Sequence, residues 1–145
     1  MEEQVANQAA NIILGTFGLV ALFIIACIFI IVAIEWKLFE KAGKPGWAAL
    51  VPVYNYIILL EIVGFKWYYV FVFFASAIPV VGGVITILFS IVMNIKLAKS
   101  FGKDTAFGIG LCFLSPVFTA ILAFNKEISY VGPAVNGDID FNNLF

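Results

Sequence analysis

Residues Ile12 to Ile34 form an apolar run of 23 residues without a single charged side chain. As an α-helix that run rises about 34 Å, enough to cross a hydrocarbon core of about 30 Å once. The rest of the chain does not dilute the signal. With 63% hydrophobic residues, 17% aromatics and a mean hydropathy of +1.09 over 145 residues, it carries more apolar surface than one water-soluble core of this size buries. The expected fold class is therefore all-α, an integral membrane helical bundle with the lipid bilayer as part of its solvent. A cleaved signal peptide fits poorly, because Glu2 and Glu3 stand where basic residues belong and no small-x-small site leads into a polar mature chain.

Charge excludes some partners. The formal net charge is -1, all eight basic residues are Lys, and there is no His, so no basic stripe is available to neutralise nucleic-acid phosphates. Without His, and with no recognisable ligand spacing among the carboxylates and thiols, no metal or cofactor site is expected. Cys27 and Cys112 both lie in apolar runs and read as small hydrophobes. Ser76, Ser90 and Ser115 read as packing residues and not as nucleophiles, so no catalytic residue is assigned.

The stretch Glu35 to Trp47 is dense in charge and follows the apolar run directly. Lys37 and Lys41 repeat at i,i+4, as do Glu40 and Lys44, so the first helix is expected to continue to about Ala42. Gly43 supplies a stop, with Pro45 just beyond. Trp36 and Trp47 are then placed at headgroup depth, and together with Lys37, Lys41, Lys44, Lys99 and Lys103 they are the candidate topology anchors.

Four spans are expected, near residues 12–34, 65–79, 83–98 and 105–124, within a membrane domain over 1–131. Residues 46–64 contain Pro52, Asn55 and Glu61 and read as an interfacial or half-inserted helix, since Glu61 at a helix centre would cost about 2.5–3.5 kcal/mol. Residues 67–95 are too long for one helix and break at Ile78–Gly83, which suggests a Pro/Gly-broken hairpin. The run Thr105–Phe124 is expected to be one helix kinked at Pro116. This arrangement leaves every Lys except Lys126 on the cytoplasmic side and both termini on the other. Asn55, Glu61 and Asn94 are the candidate intramembrane polar residues, with Glu61 expected either to snorkel at the interface or to pair with Lys96 or Lys99. Residues 132–145 read as an exposed, flexible tail in which Phe141, Leu144 and Phe145 are candidate partner-docking residues.

Three blocks carry a resemblance: "WKLFEKAGKPGWAALVPVYNYIILLEIVG" from Trp36, "LAKSFGK" from Leu97, and "FGIGLCFLSPVFTAILAF" from Phe107. Over roughly Trp36 to Tyr130 the chain resembles an uncharacterised family of small bacterial multi-pass membrane proteins, a domain of unknown function. A related segment of that family occurs fused ahead of some type I signal peptidases. The resemblance implies a bacterial inner-membrane location and hints at secretion, and it brings no activity with it. The expected function is that of a non-enzymatic accessory or scaffold subunit, whose partners are other membrane proteins or copies of itself. The alternative is a small transporter or channel-like protein.

Overall fold

The computed structural model describes residues 1–78 and 80–135, the side chain of Ser76 excepted. Every regular element among them is helical. The chain divides into two compact units, Met1–Val32 and Ala33–Phe145. Two helices are long and apolar enough to cross a membrane, α1 (Glu2–Lys41) and the later α4 (Val81–Ser100).

The first unit is one helix, the greater part of α1, with almost every side chain exposed. Glu2 and Glu3 sit in its first turn, where the helix dipole favours negative charge. Thr16 hides its hydroxyl by donating to the Ile12 carbonyl at 2.8 Å, as a polar group in an apolar stretch must. At the far end, in the second unit, α1 stops as the sequence predicts. Gly43 adopts φ +73°, its N–H donates to the Glu40 carbonyl, and the Lys44 N–H reaches the Phe39 carbonyl at 2.8 Å.

Residues 46–64 are not one helix. Pro52 holds Val51 extended, so a 3-10 turn (Gly46–Leu50) is followed by a separate helix α2 (Pro52–Val63) with proline in its first turn. Asn55 meets Glu35, and Glu61 meets Lys44, so α2 runs in the same direction as the end of α1. It ends at Gly64, which has φ +99°.

The predicted hairpin is present, with a different turn. Its ascending arm is short and mixed, a 3-10 turn at Trp67–Tyr69, α3 (Val70–Phe74) and a second 3-10 turn at Ala75–Ala77. The chain reverses between Ala77 and Val81, and Gly82 and Gly83 lie in the first turn of α4 instead of in the bend. A Cβ on Gly82 would overlap the Ala75 carbonyl, so glycine is needed there for close approach and not for turning. Phe89 of α4 holds the arms together against Phe65, Tyr69 and Phe73, with ring centroids 5.7–5.9 Å apart.

The largest departure concerns residues 105–124. Instead of one kinked helix there are two, α5 (Thr105–Phe113) and α6 (Ser115–Phe124), separated by Leu114. Phe107 and Phe118 would lie about 16 Å apart along a straight helix, yet their ring centroids are 4.9 Å apart. The chain therefore folds back on itself. A Cβ on Gly110 would come within 2.6 Å of the Phe118 ring, which is why glycine stands at the crossing. As a result Asn125 returns to the Lys41 end of the fold, and Lys126 lies with the other lysines and not opposite them.

Residues 132–135 correct the expectation of a free tail. The Val131 N–H donates to the Ser100 carbonyl at 2.8 Å, the Ala134 N–H to Ser100 Oγ at 3.1 Å, and the Val135 N–H to the Val63 carbonyl at 2.9 Å. The segment is a strap across the ends of α2 and α4. Phe141, Leu144 and Phe145 lie outside the described residues. The most buried side chains of the second unit, among them Leu38, Phe39, Leu60, Ile62, Ile95 and Phe101, gather toward this strapped end.

Candidate functional site

The C-terminal ends of α1, α2, α4 and α6 converge beneath the strap, and each presents carbonyl oxygens that its own helix leaves unpaired. The lysines answer that need. Lys41 donates from Nζ to the Leu122 carbonyl at 2.5 Å and the Asn125 carbonyl at 2.6 Å, which caps α6 from α1. Burial lowers the Lys41 pKa. Lys44 pairs with Glu61 at 2.8 Å. Lys37 pairs with Glu40 at 2.9 Å, and the Trp36 indole N–H donates to the same carboxylate at 2.8 Å. Those two donors hold the exposed Glu40 carboxyl below its ordinary value. Tyr130, packed edge-on to Phe101, donates its hydroxyl to the Ile62 carbonyl at 2.7 Å. Burial pushes its pKa up, against the opposing charge of Lys44. Lys66 lies 5.8 Å from the centre of the Tyr68 ring. Lys96 is buried in the last turns of α4. Lys99, Lys103 and Lys126 have no ion-pair partner among the described residues.

The opposite end of the second unit is apolar. Its tips are Ile78 and Val80 between α3 and α4, and Phe113 and Leu114 between α5 and α6, all exposed. Beside α2 an apolar cleft of about 320 Å³ is lined by Pro52, Tyr56, Phe73 and Thr86, among others.

Of the predicted anchors, Trp36, Lys37, Lys41 and Lys44 all engage in contacts at the converging helix ends. Trp47 stacks on Tyr54 at 5.3 Å. The three predicted polar residues each have different partners. Asn55 Nδ2 donates to Glu35 Oε2 at 2.5 Å. Glu61 is bound by Lys44, which replaces the expected pairing with Lys96 or Lys99. Asn94 donates to the Ser90 carbonyl at 2.9 Å, and the Cys112 thiol donates to the Gly108 carbonyl at 3.4 Å. Cys27 and Cys112 are both free.

Glu35 was not singled out by the sequence. It is the first residue past the apolar run, half-buried against α2, and burial raises its carboxyl pKa while the Asn55 hydrogen bond opposes the shift. Asn55 Oδ1 is buried and has no hydrogen-bond partner among the described residues. The signal that would have found the pair is a carboxylate at the lipid edge of one helix together with an amide in the first turn of the next.

Comparison with known families gives one result. The model of a family of unknown function, DUF5684, matches residues 47–133. The match covers the first block of the resemblance from Trp47 onward and the whole of the second and third, and it begins at the last residue of the charged stretch Glu35–Trp47. No curated protein and no solved structure matches the chain.

Proposed function

The chain belongs to the DUF5684 family, and from that premise we propose that it is a multi-pass protein of the bacterial inner membrane, without catalytic activity, serving as an accessory or scaffold subunit of a membrane assembly. A link to secretion, implied by the resemblance to segments fused ahead of signal peptidases, belongs to the same proposal. The observation that carries the membrane part is the sorting of charge. All eight lysines fall at one end of the second unit or in the loops there, and the tips at the other end carry no charge. The positive-inside rule then puts the lysine end in the cytoplasm.

On this reading α1 is the element that changes sides. Residues 46–64, the α3–α4 hairpin and the α5–α6 hairpin each enter and leave from the lysine side, so the N-terminus is external and Val135 is cytoplasmic. That arrangement replaces the expectation of two external termini. What supports a scaffolding role is the use made of the charged groups: Lys37, Lys41 and Lys44 are spent on ion pairs and helix ends.

Two measurements test the proposal. Single cysteines placed at Glu3, Lys103 and Lys126 in a Cys27→Ala/Cys112→Ala background are labelled with an impermeant thiol reagent in right-side-out and inverted vesicles. Lys103→Cys and Lys126→Cys are expected to label from the same face and Glu3→Cys from the other. Labelling of Lys126→Cys together with Glu3→Cys overturns the topology. Affinity purification from native membranes in mild detergent is expected to retain a stoichiometric partner, and recovery of a monomer alone overturns the accessory role.

A further inference from the structure

We propose that Glu35 and Asn55 form a proton-binding site, closed as a neutral carboxylic acid–amide pair between α1 and α2. The hydrogen-bond inventory of the two side chains leads there. An ionised carboxylate only accepts, whereas a primary amide offers two donors and one acceptor. Asn55 Nδ2 already donates to Glu35 Oε2 at 2.5 Å. Asn55 Oδ1 is left buried without a donor among the described residues. Turning the amide over does not repair this, since it would set oxygen against oxygen. The missing component is therefore a donor, and one proton on Glu35 Oε1 supplies it. The acid O–H then donates to Asn55 Oδ1 while Nδ2 continues to donate to Oε2. Two parallel hydrogen bonds close a ring, and no buried acceptor is left over.

The surroundings favour the neutral form as well. Leaving a buried amide oxygen unpaired is costly, and so is holding a half-buried carboxylate charged without a cation. Among the described residues no lysine forms an ion pair with Glu35. On α1, Lys37 is engaged by Glu40 and Lys41 turns to the end of α6. On α2 the one charged residue is Glu61, and it is bound to Lys44. The turn Gly46–Leu50, whose Gly46 lies against Trp36, contains no titratable side chain. The proton comes from water and returns to it, so no other reactant is required. Both residues lie in the second unit, and the site stands whether or not the membrane topology proposed above is right.

The test is infrared difference spectroscopy on the full chain in lipid nanodiscs, titrated from acid to alkaline pH. A protonated-carboxyl C=O band is expected to persist above the ordinary carboxylate range in the wild type and to be missing in Glu35→Gln. Asn55→Val is expected to shift that band to higher frequency, because the acid loses its hydrogen-bonding amide. A merely structural role for Asn55 would not move it. Identical wild-type and Glu35→Gln spectra near neutral pH overturn the proposal. Should Glu35→Gln fail to fold, ¹³C-glutamate NMR of the wild type serves instead, and a titration of every glutamate at or below the ordinary value overturns it equally.

Discussion

Replacing Gly64 with alanine tests how the strap is held. Two costs add at this position. Gly64 has φ +99°, in the left-handed region that costs an L-residue about 1–2 kcal/mol. Its new Cβ would also overlap the Val135 carbonyl and come within 2.7 Å of Pro133. Because the clash is with backbone, the strap must lift. That removes the Val135 N–H bond to Val63 and strains the Ala134 N–H bond to Ser100 Oγ, each worth about 1 kcal/mol net. The sum is about 2–4 kcal/mol, of which about 1–2 is local to the strap. Gly43→Ala is the control, for it has φ +73° and nothing within 4 Å of the added methyl, so only the conformational cost remains. Amide hydrogen exchange in nanodiscs reads the difference. Exchange at Ala134 and Val135 should rise about 5- to 30-fold in Gly64→Ala, at about 1.4 kcal/mol per tenfold, and stay unchanged in Gly43→Ala. Equal effects of the two substitutions on strap exchange would refute the clash.

Other consequences follow from single contacts. Lys41→Met removes two bonds to carbonyls at the end of α6 and should destabilise that end by about 1–3 kcal/mol, read as faster exchange at Asn125 and Ile128. Gly82→Leu should spread the α3–α4 turn, because the side chain meets the Ala75 carbonyl, and the ring-current shifts around Phe89 should collapse. The two perturbed carboxyls have opposite pH signs. Glu40 is lowered, so its contribution is present above the unfolded pKa and fades as pH falls through the folded value, with the Trp36 indole N–H resonance following it. Glu35 is raised, so stability should decline as pH rises from the unfolded value through the folded one, and that slope should vanish in Glu35→Gln.

Local rules were enough wherever the deciding groups are neighbours in the chain. The end of α1 was legible because Lys41, Gly43 and Pro45 state it within five residues, and the hairpin break was legible because Pro79 interrupts an otherwise overlong apolar run. The fold-back at Leu114 was not. Pro116 fits a kink in one helix and the first turn of a new helix equally well. What selects the second is the contact of Phe118 with Gly110 and Phe107, which no periodicity reports. The same reason hid the partner of Glu61. Lys44 lies 17 residues away and reaches it because the chain climbs back along α1 before α2 begins, a path set by Pro52 and by the close seat of Gly46 on Trp36. Reading 105–124 as a single crossing also separated Lys126 from the other lysines, whereas the fold-back returns the neighbouring Asn125 to the Lys41 end.

A hairpin that turns inside hydrocarbon must satisfy its own backbone, since no water is there to do so. The α5–α6 tip comes close to this. The Leu114 N–H donates to the Gly110 carbonyl, those of Val117 and Phe118 both reach the Leu114 carbonyl, and Pro116 has no N–H to satisfy. Between α3 and α4 the Ile78 N–H reaches Ala75 and the Val84 N–H reaches Val80. Tips wired in this way suit the lipid-embedded turns of the proposed topology, whereas tips in water would need no such closure. Leu114→Lys separates the two situations. Leu114 is 55% exposed, so little packing is lost by replacing it. Within the hydrocarbon the lysine should cost about 2.5–3.5 kcal/mol, less whatever snorkelling recovers. At a headgroup surface the cost should be close to nothing. Unfolding in nanodiscs measures the difference directly, with Lys103→Leu in the loop between α4 and α5 as the reference substitution. A Leu114→Lys protein as stable as the wild type would place the tip in water and end the re-entrant reading of α5 and α6.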